Sequence, residues 1–252
     1  MEEEQNAGKN VRLTAWIVEG IEIQQEQLRL KMEIARHANP TTLQDTNVAK
    51  MKERLIQRFE QLMDSAERLF PNVDFAELSY RQGPWTKKRP KKDGDLIGRP
   101  VPLPSQISPT PVASYRDTEV VLRIGEANDA LQAIRTEIGY KSYLYRGQIR
   151  PFKGKNKRTR GWDNIKRSDE ELNFQRQIYT NAVSALRALG ASDDILAQYQ
   201  EITKEDMKTV TAISEPNARG QSKEQLAWFW NLDVSGDSEN SQHMEECESG
   251  NF

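Results

Sequence analysis

Apolar residues in the first part of the chain recur at three- and four-residue spacing, which places them on one face of an α-helix. This pattern predicts two helices, over residues 13–36 and 42–69. Asn39-Pro40 ends the first helix, because proline disfavours the α conformation of the residue before it. Thr42 and Asp45 predict a capping box at the start of the second. The connection is so short that we expect an antiparallel helical hairpin spanning residues 1–72.

Two more helices are predicted in the second half of the chain. From Val120 to Ile138 the apolar steps alternate between four and three residues. From Ile165 to Leu189 the apolar positions repeat every seven residues, and Gly190 follows as a C-cap. We expect these helices to pack antiparallel in a helical domain of residues 115–232. Shorter helices should complete this domain, beginning at Ser192, Thr203 and Ser222.

Two segments follow neither the helical nor the strand period. Residues 71–114 contain eight of the eleven prolines, so we predict a long linker or extended loop over 73–114. Residues 233–252 are polar and acidic, which predicts a disordered tail. The predicted fold class is therefore all-α, with two helical hairpin units joined by a Pro/Lys-rich linker, short C-terminal helices and a disordered acidic tail.

The composition agrees with helices joined by solvated segments, because 36% of the residues are hydrophobic and 29% are charged. No run of about 18 apolar residues occurs, so we expect no membrane partner and no signal peptide. The net charge is −2, but residues 146–167 contain nine Lys and Arg against Asp163 alone. The tail has six Asp and Glu and no Lys or Arg. The basic segments and the tail can attract each other or compete for a polyanion.

Residues suited to catalysis are sparse. The only histidines are His37 and His243, and the only cysteine is Cys247, which does not support a zinc site or a Ser-His-Asp triad. No glycine-rich phosphate loop is present. The carboxylates have no strand pattern that would place them for a metal-dependent nuclease. We therefore predict no catalytic, metal-binding or cofactor-binding residue, no cofactor and no enzymatic activity.

Two basic runs are candidate nucleic-acid contacts, because clustered Lys and Arg bind phosphates. The first run lies in the proline-rich segment and is typical of a nuclear import signal or a polyanion contact; the alternative is a solvated linker that binds nothing. The second run lies between aromatic residues. The first consists of Lys87, Lys88, Arg89, Lys91 and Lys92, and the second of Lys153, Lys155, Lys157, Arg158 and Arg160.

The aromatic residues around the second run are Tyr140, Tyr143, Tyr145, Phe152 and Trp162. Rings interleaved with cations can stack on bases, as in proteins that bind single strands. Alternatively, Tyr143, Leu144 and Trp162 are core residues at a helix–helix corner while the lysines face water. The sequence favours this second interpretation for the rings, because aromatic residues near a helix end more often pack than bind a ligand.

A second aromatic cluster comprises Trp228, Phe229 and Trp230. Three consecutive rings cannot all point to the same side of a helix. We predict that they form a docking point for a helical protein partner or for self-association. A satellite core under the preceding loop is an equally supported alternative.

Five segments of the chain form a familiar combination: 20–30 (GIEIQQEQLRL), 122–131 (LRIGEANDAL) with Ile134-Arg135, 157–162 (KRTRGW), 215–221 (EPNARGQ) and 226–233 (LAWFWNLD). Together they resemble the C-terminal region of fungal Kyakuja-Dileera-Zisupton (KDZ) transposases and their cysteine-cluster-associated relatives. The resemblance covers roughly residues 11–234. In that family the chemistry is attributed to an RNase H-like core with acidic metal ligands upstream of this region. None of the matching segments carries a known catalytic residue.

The resemblance implies a non-catalytic helical module derived from a KDZ-type DNA transposase. Its expected role is protein assembly, sequence-independent contact with DNA, or both, in the nucleus or otherwise in the cytoplasm. One alternative is that it belongs to an active metal-dependent transposase whose catalytic core lies outside this chain, and another is a relic without function. The family continues past the acidic stretch into a further Trp/Arg-rich helix. This chain departs from it at Cys247, as expected of a fragment, a decayed copy or a truncated gene model.

Overall fold

The computed structural model describes residues 2–37, 39–75, 79–81, 96–107, 115–149, 155–207 and 227–232, with the backbone alone for 2–9, 148 and 155–158. Within these ranges all regular structure is helical, apart from one isolated antiparallel bridge between Tyr80 and Ile107. The all-α fold class is thus confirmed. The acidic tail, and the helix predicted to begin at Ser222, lie outside the described residues.

Five α-helices follow one another along the described chain. They are α1 (Glu2–Arg36), α2 (Thr42–Leu69), α3 (Arg116–Leu144), α4 (Lys155–Leu189) and α5 (Asp193–Gln198). A π-helical turn, Tyr145–Ile149, continues α3, and a 3-10 turn, Trp228–Asn231, lies near the end. Thr203 and Asp206 form the hydrogen bonds of a capping box, but only a turn follows them within the described part of the chain.

Helix α2 begins at Thr42 as predicted, but its capping box lies one residue before the predicted one. Thr41 is the N-cap: its amide donates to Gln44 Oε1 over 2.8 Å, and the Gln44 amide donates to Thr41 Oγ1 over 3.4 Å. The prediction of a box formed by Thr42 and Asp45 is therefore wrong. Thr41 has the extended backbone of an N-cap, and the Asp45 amide is already in the first helical hydrogen bond, to the Thr41 carbonyl.

The chain divides into two compact units. Unit 1 comprises residues 1–125 and 181–196, and unit 2 comprises residues 126–180 and 197–252. The predicted boundaries at 72 and 114 do not coincide with this division, because α3 and α4 each contribute residues to both units. Helices of 29 and 35 residues are long enough to serve two cores.

In unit 1, α1 and α2 pack antiparallel along an apolar seam. Near one end of the seam, the buried Trp16 donates from Nε1 to the Leu62 carbonyl over 3.2 Å. Further along, Arg58 donates to Glu19 and Glu26, each over 2.7 Å. The hydrogen bond to Glu19 is the main reason that the pKa of Arg58 is raised above its usual value. The ion cluster therefore holds the solvent side of the seam, and the apolar residues hold its inner side.

The second part of the predicted linker belongs to the core of unit 1. Residues 101–107 are all buried, and Val101 and Leu103 join the apolar cluster of α1 and α2. Gln27 of α1 donates to the carbonyls of Leu96 and Arg99, both over 2.8 Å, and so holds the entry to this loop. Residues 101–107 are therefore part of the packed core of unit 1.

Unit 2 has its own apolar core, with Leu131, Ile134 and Ile138 of α3 buried together with Leu172 and Ile178 of α4. These are positions of the predicted apolar stripes. Two polar contacts join the helices at this level: Ser168 Oγ donates to Glu137 over 2.8 Å, and Lys141 forms an ion pair with Asp169. The end of α3 is thereby held against the first half of α4.

Candidate functional site

The end of α3 presents two tyrosine rings to solvent. Tyr140 is 48% exposed and Tyr143 is 60% exposed, whereas the adjacent Leu144 is completely buried. Residues three positions apart lie on the same face of a helix, so the two rings share one side of α3. A Cβ atom at Gly147 would lie 3.8 Å from the Tyr143 ring, which places that ring over the π-helical turn.

The beginning of α4 presents an indole on the other side of this turn. Trp162 is 46% exposed, while its neighbours Gly161 and Ile165 are buried and fix the face that α4 turns inward. The Tyr145 and Trp162 rings meet edge to face, with centroids 6.0 Å apart and planes at 83°. This contact joins the π-helical turn to α4.

The interpretation of Tyr143, Leu144 and Trp162 as core residues is therefore right for Leu144 and wrong for the two aromatic residues. Leu144 is a core residue, but Tyr143 and Trp162 lie at the surface. The physical reason is that Leu144 and Ile165 already occupy the buried stripes of the two helices. The rings are left on the flanks, where they keep much of their surface in water.

Cations accompany the exposed rings. Arg146 follows Tyr145 in the π-helical turn, Lys166 lies one helical turn after Trp162, and both are exposed. Lys141 is instead engaged with Asp169. We call Tyr140, Tyr143, Trp162, Arg146 and Lys166 the aromatic–basic surface. The sequence prediction missed Arg146 and Lys166, although the four-residue spacing from Trp162 to Lys166 is a signal that could have identified the lysine.

The predicted nucleic-acid residues are placed as follows. Lys87, Lys88, Arg89, Lys91, Lys92 and Lys153 lie outside the described residues, and Lys155, Lys157 and Arg158 are backbone positions in the first turn of α4. Arg160 is exposed on α4, two residues before Trp162. The described part of the second basic run is thus on the same helix as the exposed indole.

The predicted docking cluster is built into unit 2. Phe229 is completely buried, so docking through its ring is excluded, while Trp228 and Trp230 are partly exposed. Arg135, itself only 7% exposed, donates from Nη2 to the carbonyls of Phe229 and Leu232, both over 2.5 Å. Phe229 is therefore a core residue of unit 2, and the loop that precedes it lies outside the described residues. The anchoring arginine could not be identified from the sequence, because it lies 94 residues before Phe229.

The residues that the structure describes contain no group of three or more His, Cys, Asp and Glu side chains placed to hold a metal ion. Among the described helices, none is both long and apolar enough to span a membrane. Comparison of the chain with protein-family models, with curated proteins and with solved structures finds no match.

Proposed function

We propose that this chain is a non-catalytic helical module that contacts nucleic acid without sequence specificity through the aromatic–basic surface of unit 2. The observation that carries the proposal is the exposure of Tyr143 and Trp162 beside Arg146 and Lys166. Large rings normally avoid water, and phosphates are held by Lys and Arg. Exposed rings can stack on the base of a nucleotide, and the neighbouring cations can bind its phosphate.

The charge of this region supports a polyanionic ligand. Between residues 159 and 167, Arg160, Lys166 and Arg167 are exposed, and Asp163 is the one carboxylate. Contacts from Lys and Arg to phosphates orient a nucleic acid but carry no sequence information. The expected binding is therefore sequence-independent and strongly dependent on salt.

The resemblance to the C-terminal region of KDZ transposases is consistent with this role. In a transposase of that kind, catalysis would come from a core outside this chain, and this module would hold DNA in the nucleus. An active metal-dependent transposase that includes this chain remains the alternative under the same resemblance.

A second candidate function, assembly with another helix, is favoured by an exposed apolar pair on α1. Val11 is 69% exposed and Val18 is 36% exposed, and a spacing of seven residues puts both on one face. Sedimentation equilibrium would test it: the wild-type chain should show a mass above 29.0 kDa that Val11→Glu lowers. A monomeric wild type would exclude self-association through this pair.

Fluorescence anisotropy with a labelled 20-base-pair duplex tests the proposed nucleic-acid contact. We compare Arg146→Gln/Arg160→Gln/Lys166→Gln with a matched control in unit 1, Lys50→Gln/Lys52→Gln/Arg54→Gln, which removes three exposed cations of α2. Each lost phosphate contact should reduce the log–log salt slope by about 0.9, so the site variant should lose about 2.7 and the control none. No binding by the wild type at about 50 mM salt, or equal losses in both variants, would refute the proposal.

A further inference from the structure

We infer that the aromatic–basic surface selects single-stranded nucleic acid, with unpaired bases stacking on the rings of Tyr143 and Trp162. This inference rests on the proposed function and names its ligand class. The cations alone would bind any nucleic acid, whereas the rings add an interaction that only an accessible base can make.

The geometry leaves ring surface open for such a contact. Trp162 touches Tyr145 edge to face, and this arrangement covers at most one face of the indole. The indole is accordingly 46% exposed, and the Tyr143 ring, which lies against the backbone of the turn, is 60% exposed. The two rings approach the turn from α3 and from α4.

An exposed cation lies close to each ring along the chain. Arg146 belongs to the turn that the Tyr143 ring covers, and Lys166 shares the helical flank of Trp162. A polynucleotide carries one phosphate per base, so a strand with bases on the rings passes its phosphates over neighbouring cations. A strand of linked nucleotides can use both kinds of side chain, whereas an isolated anion can use the cations alone.

A duplex cannot use the rings in this way. The bases of a duplex are stacked on one another, and only their edges are accessible in the grooves. The rings of Tyr143 and Trp162 therefore find no base face on which to stack. In a single strand, each base has a face that can stack, and stacking tolerates any sequence. The difference in affinity between single strand and duplex thus isolates the contribution of the rings from that of the cations.

The test measures binding of labelled dT20 and of a 20-base-pair duplex to the full chain, by anisotropy at one salt concentration. Variants Tyr143→Ala and Trp162→Ala remove one ring each, and Trp162→Phe keeps an aromatic face. Leu43→Ala is the control, because Leu43 is 71% exposed on α2 of unit 1. Circular dichroism shows whether each variant keeps the helix content of the wild type.

We expect wild-type chain to bind dT20 at least about tenfold more tightly than duplex, from stacking on two rings. Tyr143→Ala and Trp162→Ala should each weaken dT20 binding by about fivefold or more, while duplex binding and the salt slope stay unchanged. Trp162→Phe should restore most of the loss, and Leu43→Ala should have no effect.

Two results would overturn the inference in distinguishable ways. Equal affinity for dT20 and duplex, with no change in either ring variant, would show that cations alone bind and would leave the proposed function standing. Absence of binding to both nucleic acids at about 50 mM salt would remove the proposed function and the inference together.

Discussion

Gly20 of α1 lies next to Leu103 of the loop formed by residues 101–107. A Cβ atom added at Gly20 would lie 2.7 Å from Leu103 Cδ2 and 3.2 Å from its Cγ. Carbon atoms that are not bonded pack at about 3.5–4.0 Å, so Gly20→Ala forces the Leu103 side chain to move. Leu103 is completely buried, so its side chain can move only by displacing other core atoms.

The expected magnitude follows from two opposing effects. Replacing glycine by alanine inside a helix ordinarily stabilises a protein by about 0.5–1 kcal/mol. Forcing an extra methyl group into a packed core costs about 1–3 kcal/mol. We therefore expect Gly20→Ala to lower the free energy of unfolding by about 1 kcal/mol, which reverses the usual sign of this substitution.

Gly125 provides the matched control. It lies in α3, belongs to unit 1, and an added Cβ would meet no atom within 4 Å. Gly125→Ala should raise the free energy of unfolding by about 0.5–1 kcal/mol, so the two variants should differ by about 2 kcal/mol. Urea denaturation monitored by far-UV circular dichroism gives the free energy of unfolding of both variants from the unfolding transition of unit 1.

A second background separates packing from helix propensity. Leu103→Ala alone should cost about 2–5 kcal/mol, because it leaves a cavity. In that background the obstruction is gone, so Gly20→Ala should stabilise as Gly125→Ala does. Stabilisation by Gly20→Ala in the wild-type background would show that the loop does not pack on α1.

Three further changes test other buried polar groups. Arg135→Met should accelerate amide hydrogen exchange around Phe229, because the buried Phe229 carbonyl and the partly buried Leu232 carbonyl lose their donor; leaving the buried one unsatisfied costs about 1–3 kcal/mol. Glu119→Ala should lower the urea-derived free energy of unfolding by about 3–5 kcal/mol, since it leaves the guanidinium of Arg123 buried without its carboxylate. Burial raises the pKa of Tyr199, so its neutral form stabilises the fold below about pH 10 and this contribution is lost as the pH rises further. Tyr199→Phe should therefore lose less stability than wild type in pH titrations above about 10.

The helical class could be predicted because it depends on local spacing. Leu131, Ile134 and Ile138 follow the helical period, and all three are buried. The start of α2 was harder to predict, since Thr41 and Thr42 both precede a residue that can complete a capping box. The choice between them depends on the backbone conformation of Thr41, which composition does not determine.

Other features depend on contacts between distant residues. The loop around Leu103 has no period, and its burial requires the space that Gly20 leaves on a helix more than 80 positions earlier. The exposure of Tyr143 and Trp162 likewise depends on tertiary packing, because Leu144 and Ile165 occupy the buried positions between α3 and α4. Their residue type alone favours burial. The sequence therefore indicated the region of the candidate site through its cations and aromatic residues. Only the structure shows that the rings of Tyr143 and Trp162 are accessible to solvent.

Photo-crosslinking of dT20 to the full chain, followed by mass spectrometry of the peptides, shows directly whether a single strand binds at the aromatic–basic surface. We expect cross-links within residues 140–167, at Tyr143 and Trp162, that high salt suppresses. Cross-links at the first basic run, Lys87 to Lys92, would add the predicted second contact. Binding of dT20 with no cross-link anywhere in residues 140–167 would contradict the aromatic–basic surface as the nucleic-acid site.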